Sequence, residues 1–196
     1  MRTITRAIVR SGIEMVYSQG FNPHPRFSLP LPRNVGLASD DELFCVRIEP
    51  CPACNDNAAY AELIAPQLPT GFEMVDVELH QKNAAYQPIE VEYIVKVDAM
   101  SEKTWSFVDV QKLNERICSG EKILIERTVN AQGDVKIVDI AVFLKEFDVV
   151  GGDVKVACKV LPTGTIRPDE ILKLLNIDSS QISSSIVRKK VKWEIN

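Results

Sequence analysis

The chain has 196 residues, of which 45% are hydrophobic and 26% are charged, a composition typical of globular proteins rather than of disordered or fibrous ones. Its length suits one large domain or two of about 90 to 100 residues, and we expect two. It contains no apolar run long enough for a membrane span and no apolar core of a signal peptide near the N-terminus, so we expect a cytoplasmic protein. Five scattered cysteines fit reduced thiols in that compartment better than a disulfide framework.

Charge is distributed unevenly along the chain. The net charge is −4, but residues 1–33 alone carry +4, because five arginines there stand against a single acid, Glu14. These arginines are Arg2, Arg6, Arg10, Arg26 and Arg33. A basic segment on an acidic protein favours a localised site for a phosphate-bearing or acidic partner. The sequence pI of about 5.3 argues against nucleic acid binding over the whole surface.

The first half of the chain predicts the element order α, β, β, α, β. In the first helix, Ile4, Ala7 and Ile8 lie on one side, and arginines at one-turn spacing lie on the other. We expect Gly12 to end this helix. Residues 72–80 alternate apolar and polar side chains as in a half-buried strand. The predicted bounds are 2–11 for the first helix, 13–19 and 43–49 for two short strands, 56–68 for a helix and 72–80 for the last strand.

A proline-rich loop, residues 17–33, follows the first predicted strand with the sequence YSQGFNPHPRFSLPLPR. Each proline fixes φ, removes a backbone donor and biases the preceding residue toward extended geometry. We therefore expect a rigid, largely extended path that presents its side chains. Such rigidity favours a binding surface or a structural clamp.

The polar segment 81–90 contains one proline and is predicted to separate domain 1–82 from domain 83–196. Beyond it the pattern of strands and helices restarts, and the turn NAQGD joins the two strands of a hairpin. The predicted elements are strand 91–97, helix 103–118, hairpin strands 122–129 and 135–144, strand 154–161, helix 168–175 and strand 184–195.

These elements predict an α+β fold of two ferredoxin-like (split βαβ) domains with mostly antiparallel sheets, the first missing its initial strand. That strand takes a central position in the sheet, where unpaired backbone groups are costly when buried. We therefore expect the position to be filled by upstream sequence, by a strand from another subunit of an oligomer, or by rearranged pairing.

Residues 6–44, RAIVRSGIEMVYSQGFNPHPRFSLPLPRNVGLASDDELF, resemble the start of the bacterial radical-SAM-linked protein family, whose hallmark is GFNPHPR, and the later TGTIRPDEIL agrees with it. Members occur beside or fused to radical S-adenosylmethionine proteins, so the resemblance implies such a protein as a partner and names no reaction. They typically begin with a strand and a Ser-His-Leu-Asp segment that this sequence lacks, which implies a truncated, split or misassigned start. The chain also lacks the three-cysteine motif of a radical SAM enzyme, so we expect no iron–sulfur cluster and no other cofactor.

The arginine side of the first helix and the proline-rich loop together predict a site for RNA or for a modification enzyme. Arginines one turn apart suit successive phosphates, Phe21 and Phe27 suit base stacking or loop anchoring, and His24 suits a hydrogen bond to the ligand. The predicted binding residues are Arg2, Arg6, Arg10, Tyr17, Phe21, Asn22, His24, Arg26 and Arg33. The alternative is a solvated arginine face with phenylalanines that pin the loop to the sheet.

Two further positions are weaker chemical candidates. His24 lies between two prolines and is a candidate acid–base residue, although no partner carboxylate or second histidine is evident nearby in the sequence. Cys51 and Cys54 have the spacing of half a metal site or of a redox pair, but no second pair exists, and an ordinary turn is the alternative. Near the C-terminus, alternation predicts Arg188, Lys190 and Lys192 on one exposed side of the last strand.

Three functions follow from these patterns. We favour a non-catalytic accessory module that is associated with radical SAM chemistry and binds RNA through its basic N-terminal region. The second hypothesis is a protein-interaction subunit that recruits a radical SAM enzyme by strand addition at the incomplete sheet. The third is a metal-free endoribonuclease that uses His24.

Overall fold

The computed structural model describes residues 2–34, 36–52, 54–81, 84–96, 107–130, 132–177 and 186–195. Over these ranges the protein is a mixed α+β structure with mostly antiparallel sheets, as predicted. Its helices are α1 (Arg2–Arg10), α2 (Asn57–Ile64), α3 (Phe107–Cys118) and α4 (Pro168–Leu174). Its strands are β1 (Phe27–Ser28), β2 (Ala38–Ser39), β3 (Cys45–Val46), β4 (Tyr86–Val95), β5 (Leu124–Thr128), β6 (Val135–Asp139), β7 (Leu144–Val150), β8 (Asp153–Lys159) and β9 (Ile186–Ile195). None of the helices in these ranges is long and apolar enough to cross a membrane.

Contacts divide the chain into two compact units. Unit 1 comprises Met1–Pro30 and Leu43–Ala85, and unit 2 comprises Leu31–Glu42 and Tyr86–Asn196. The segment Leu31–Glu42 thus belongs to unit 2, although it interrupts the sequence of unit 1. The predicted domain limits, 1–82 and 83–196, stay a prediction.

The two helices of unit 1 have ends that the sequence explains. In α1, Ala7 and Ile8 are buried, and Gly12 follows the helix with a positive φ of 78° that favours glycine. Helix α2 is capped by Asp56, whose Oδ1 accepts a hydrogen bond from the backbone N–H of Ala59 at 2.9 Å. Pro66 lacks a backbone donor, so a 3-10 turn over Ala65–Gln67 follows the α-helix.

Three short backbone segments of unit 1 meet at one junction. The N–H of Val16 donates to Arg47 O at 2.9 Å, Arg47 N–H donates to Arg26 O at 2.9 Å, and Arg26 N–H donates to Val16 O at 2.8 Å. Because each segment divides its donors and acceptors between two neighbours, no long ladder forms. The predicted extents of strands 13–19 and 43–49 are therefore wrong: the first is reduced to isolated bridges, and the second to β3 and one bridge.

The predicted strand over residues 72–80 does not form. The segment lies outside regular secondary structure, and the side chain of Val75 is 83% exposed. Its alternating pattern suits a strand, but a strand needs a neighbouring strand, and the segment takes part in no β-ladder or β-bridge with the described residues. Val77 packs against the core of unit 1. The fully buried members of that core are Ile8, Ile13, Met15 and Tyr60.

A five-stranded sheet lies at the centre of unit 2, in the order β2-β9-β4-β8-β7. Its four long strands pair antiparallel, and the two-residue β2 joins β9 in parallel. Strands β5 and β6 form a separate hairpin, as the turn NAQGD predicts. The core includes Val91, Tyr93 and Val95 of β4, Val154, Val156 and Cys158 of β8, Val110 and Leu113 of α3, and Ile171 and Leu172 of α4.

Two predicted boundaries in unit 2 are wrong. Strand β4 begins at Tyr86, before the predicted start at residue 91 and within the polar segment 81–90. Pro88 is tolerated because it lies at a β-bulge, where the regular ladder is already interrupted. The predicted strand 135–144 ends at Asp139, and a 3-10 turn separates it from β7, which pairs with β8. The first residues of the predicted helix 103–118, 103–106, lie outside the described residues.

The predicted basic side of the last strand is also wrong. Arg188 is only 2% exposed, whereas Lys190 and Lys192 are exposed. A β-bulge leaves Lys189 without a residue opposite it on β4, and this extra residue shifts the alternation of side chains along β9. Arg188 therefore lies among buried side chains and not on a basic surface.

The guanidinium of Arg188 holds the segment Leu31–Glu42 within unit 2. Nη1 donates to Leu31 O at 3.1 Å and to Glu42 Oε1 at 3.0 Å, and Nη2 donates to Pro32 O at 3.3 Å. Burial raises the pKa of the neighbouring Tyr93 to about 12, and the positive charge of Arg188 opposes that rise. Leu31 and Pro32, near the end of the proline-rich loop, are thus bound to unit 2 through their carbonyl oxygens.

Glu170 of α4 connects the β5–β6 hairpin to the rest of unit 2. The residue is 1% exposed, and its Oε1 accepts from Arg127 Nε at 2.6 Å. Its Oε2 accepts from Arg127 Nη2 at 2.7 Å and from the backbone N–H of Arg167 at 2.8 Å. The carboxylate therefore pairs with a strand residue and caps the helix at the same time.

Candidate nucleic-acid interface

A shallow groove of about 300 Å³ runs along α1 in unit 1. One side is formed by α1, whose contributing residues are Thr5, Arg6, Val9 and Arg10, spaced one turn apart in two pairs. The other side is formed by residues that alternate along the first bridged segment, Met15 and Tyr17, and by Pro25 of the GFNPHPR sequence. The structure thus brings together Arg6, Arg10 and Tyr17, three of the residues that are predicted to bind a ligand.

The arginines of α1 differ in how they are held. Arg2 and Arg6 are exposed, and their guanidinium groups form no hydrogen bond or ion pair within the described part of the chain. Arg10 donates from Nη2 to the backbone oxygen of Gln67, which fixes its position beside the groove. Arg2 and Arg6 are therefore available to an anion, while one donor of Arg10 is already used.

The first half of GFNPHPR is the tip of a hairpin. Ser18 N–H donates to His24 O at 2.8 Å, and His24 N–H donates to Ser18 Oγ at 3.0 Å, which closes the hairpin around residues 19–23. At the tip, Phe21 has a relative exposure of 112%, the value of a side chain that touches nothing. A fully hydrated phenylalanine gives no stability to the fold, so its apolar ring is available for an outside ligand.

Phe27 has the anchoring role that the alternative hypothesis proposes for both phenylalanines. Its ring stacks on Phe44, with centroids 5.4 Å apart and an interplanar angle of 23°. This stack belongs to the edge of the unit 1 core, where Phe44 is partly buried. Of the two aromatic rings, Phe27 is structural and Phe21 is exposed.

The remaining predicted binding residues lie outside the groove. His24, Asn22 and Arg26 are exposed, and their side chains form no hydrogen bond or ion pair with any described residue. Arg33 is exposed as well, but it belongs to unit 2. The imidazole of His24 therefore has no carboxylate partner among the described residues, which leaves the acid–base hypothesis without a second group.

The sequence missed four residues of this groove: Thr5, Val9, Met15 and Pro25. Helical spacing from Arg6 and Arg10 is the signal that identifies Thr5 and Val9, because residues one turn apart share a side of the helix. For Met15, the signal is its alternation with Tyr17 along an extended segment. Pro25 has no such signal, since it reaches the groove through a bridge with Tyr17 that pattern alone does not specify.

Cys51 and Cys54 remain free thiols that pack against the unit 1 core. Burial, together with a hydrogen bond to the Cys51 thiol, raises the pKa of Cys54 to about 11, opposite to the shift that activates a cysteine. Groups of three or more metal-ligating side chains do not occur among the described residues. Of the other cysteines, Cys158 is buried and Cys118 is exposed.

The comparison with curated proteins found no match to the chain. The model of a family described as an uncharacterized protein conserved in bacteria (DUF2344) matches residues 1–177. This match includes α1, the GFNPHPR hairpin and the TGTIRPDEIL segment. The chain therefore belongs to the DUF2344 family of uncharacterized proteins conserved in bacteria.

Proposed function

We propose that unit 1 binds single-stranded RNA through the α1 groove and the hairpin tip, as a non-catalytic accessory module that works with a radical SAM protein. The observation that carries the proposal is the fully exposed Phe21, on the same hairpin as Tyr17 of the arginine-lined groove. The family resemblance of GFNPHPR supports the proposed association with radical SAM chemistry, and the arginine-lined groove supports the proposed RNA binding.

Each part of this surface suits one part of a nucleotide. Arg2 and Arg6 provide charge for phosphates, because their guanidinium groups have no internal partner among the described residues. Phe21 provides a flat ring on which a base stacks, and Tyr17, which is 43% exposed, offers a second ring. Stacking needs unpaired bases, so single strands suit this site better than a duplex.

We also propose that unit 2 is a ferredoxin-like domain. In its support, β4, β7, β8 and β9 follow one another with α3 after the first strand and α4 after the third, and their sheet order is β9-β4-β8-β7. That sequence of elements supports a split βαβ, in which the β5–β6 hairpin would be an insertion. Folds of this kind include RNA-binding modules, which adds support by analogy.

The stacking role of Phe21 leads to a specific expectation. Phe21→Ala should weaken binding of a single-stranded RNA by about 1–3 kcal/mol, the contribution of one stacked base, without loss of fold, because the ring packs on nothing. Phe21→Trp should retain the affinity, since indole stacks as well as phenyl. Fluorescence anisotropy with a labelled oligonucleotide measures both, and Phe72→Ala, at another exposed phenylalanine of unit 1, is the matched control. Equal affinities for the wild type, Phe21→Ala and the control would refute base stacking at the tip.

One observation favours a second function, the recruitment of a radical SAM protein by strand addition. The segment 72–80 has a strand-like pattern, exposes Val75, and takes part in no β-ladder or β-bridge among the described residues. A radical SAM protein that stays bound to the chain after nuclease treatment would favour this function over RNA binding. Cleavage of RNA by His24 has no such support, because a single unpartnered imidazole does not make an acid–base pair.

A further inference from the structure

Unit 2 contains a second groove, of about 510 Å³, which plays no part in the proposed RNA site. It lies among the β5–β6 hairpin, the 3-10 turn Ala141–Phe143 and the loop that leads into α4. The loop belongs to the TGTIRPDEIL segment, which contributes Thr163 and Arg167 to the lining. This volume is within the range of sites for small molecules, about 300–1,000 Å³.

Three cationic side chains converge on this groove: Arg127, Lys136 and Arg167. Arg127 and Lys136 are directly opposite one another in the register of β5 and β6, so they project from the same side of the hairpin. Like charges at such positions repel and lower the stability of a strand pair. An arrangement of this kind is favourable only when anions offset the charges.

The protein offsets only part of this charge. Glu170 neutralises Arg127 through the paired contacts described above. Arg167 donates from Nη1 to Thr128 O at 3.1 Å, a contact that fixes the guanidinium but does not cancel its charge. The ammonium group of Lys136 forms no hydrogen bond or ion pair with any residue that the structure describes. Lys136 and Arg167 are thus left as two positive charges that share one groove.

The carboxylate of Asp139, the acidic residue among those that line the groove, already accepts hydrogen bonds from the backbone. Its Oδ1 accepts from the backbone N–H groups of Ile123 at 3.0 Å and Ala141 at 3.1 Å. These bonds join the end of β6 to the neighbouring backbone, so Asp139 has a structural role at the edge of the groove. It lowers the local charge without pairing directly with Lys136 or Arg167.

The groove also has an apolar wall whose side chains are exposed to solvent. Val129 and Val142, which line it, are about half exposed, and Ile137 is 66% exposed. Grouped apolar side chains beside uncompensated cations are typical of a site for a ligand that has both an anionic and an apolar part. The hydroxyl of Thr163 offers a further hydrogen bond to such a ligand.

We propose that this groove of unit 2 binds a small phosphate monoester, with the phosphate between Lys136 and Arg167 and the apolar part against Val129 and Val142. A phosphate monoester carries up to two negative charges at neutral pH, which match the two uncompensated cations, whereas a carboxylate matches only one. The three-pronged donor set of lysine and the fork of arginine both suit phosphate oxygens.

Phenyl phosphate is the probe, with benzoate and inorganic phosphate as comparisons, and binding is followed by amide NMR shifts of the full chain. We expect phenyl phosphate to shift the amides of residues 136–138 and 163–167, and to bind more tightly than inorganic phosphate, which lacks the apolar part. Lys136→Gln should weaken the binding by about tenfold, the loss expected for one charge-assisted contact. Lys122→Gln, the same change at an exposed lysine that does not line the groove, should leave it unchanged.

Three results would overturn the assignment. The first is the absence of shifts at these amides with phenyl phosphate at millimolar concentration. The second is an equal effect of Lys136→Gln and Lys122→Gln, which would indicate general attraction to the protein. The third is benzoate binding as tight as that of phenyl phosphate, which would assign the groove to carboxylates. Because the side chain of Lys136 is exposed, its replacement leaves the fold intact, and each result is informative.

Discussion

Replacing Glu170 by alanine is expected to lower the free energy of unfolding by about 3–5 kcal/mol, the cost of leaving one member of a buried ion pair without its partner. Glu170 is almost completely buried, and Arg127 is 14% exposed, so water cannot replace the lost contacts. The substitution also leaves the backbone N–H of Arg167 without an acceptor at the start of α4. A loss of this size is a large part of the stability of a typical domain, about 5–15 kcal/mol.

Equilibrium unfolding in urea, followed by far-UV circular dichroism, measures this effect. Asp169→Ala is the control, because Asp169 is the neighbouring acid and makes only a partly exposed pair with Lys173, at 3.7 Å. We expect Glu170→Gln to lie between Glu170→Ala and the wild type, since glutamine keeps hydrogen bonds but loses the charge. A loss from Glu170→Ala no larger than that from Asp169→Ala would contradict the structural role of the carboxylate.

Replacing Arg188 by alanine is expected to cost about 2–3 kcal/mol, less than the change at Glu170 because Glu42 keeps some contact with water. The change leaves the carbonyl oxygens of Leu31 and Pro32 without their donors and removes the anchor of the segment Leu31–Glu42. That segment is held to β9 by few other backbone bonds, among them the one from Asp40 N–H to Arg188 O. In the Arg188→Ala variant we therefore expect the amides of this segment to exchange with solvent faster than they do in Lys190→Ala or in the wild type.

Hydrogen exchange and urea unfolding together test this expectation. Lys190→Ala is the matched control, because Lys190 is a nearby basic residue of the same strand whose side chain is exposed. If both variants unfold at the same urea concentration, and if the amides of residues 36–42 exchange equally in both, Arg188 does not anchor the segment.

Local sequence patterns were sufficient to predict those elements whose determining residues lie within a few positions of one another. The arginine and isoleucine spacing predicted α1, the turn NAQGD predicted the β5–β6 hairpin, and Pro168 with the acids after it predicted α4. In each case the hydrogen bonds that form the element are local, so residues close in sequence determine it. The hairpin that exposes Phe21 was not predicted in this way, because the prolines predicted an extended path and the turn depends on the pairing of Ser18 with His24.

Features that depend on contacts between residues far apart in the sequence could not be predicted from sequence patterns. Alternation placed Arg188 on a basic surface, but the bulge at Lys189 arises only when β9 pairs with β4. The segment 72–80 has the correct period for a strand, and it stays irregular because pairing requires a neighbour that no pattern identifies. Glu170 and Arg127 are 43 residues apart, so no short motif connects them.

For the candidate site, the sequence indicated the types of residue but little of their arrangement in space. Arg6, Arg10 and Tyr17 meet in one groove, as expected for residues on a helix and on the segment that follows it. Arg33 was grouped with them because of its position in the sequence, yet the chain enters unit 2 at Leu31. A count of charge along the sequence cannot detect such a change of unit, because it assumes that neighbours in sequence share one surface.

The salt dependence of RNA binding is the most direct test of whether the arginines of α1 bind RNA phosphates. Titration of a labelled single-stranded RNA at several salt concentrations, with the wild type and with a variant carrying Arg2→Gln and Arg6→Gln, gives the slope of log K against log salt. Each phosphate contact contributes about 0.7 to that slope for a single strand, so we predict that the double variant binds more weakly with a slope reduced by about 1.4. The same affinity and slope in both proteins would contradict binding of RNA phosphates by the arginines of α1.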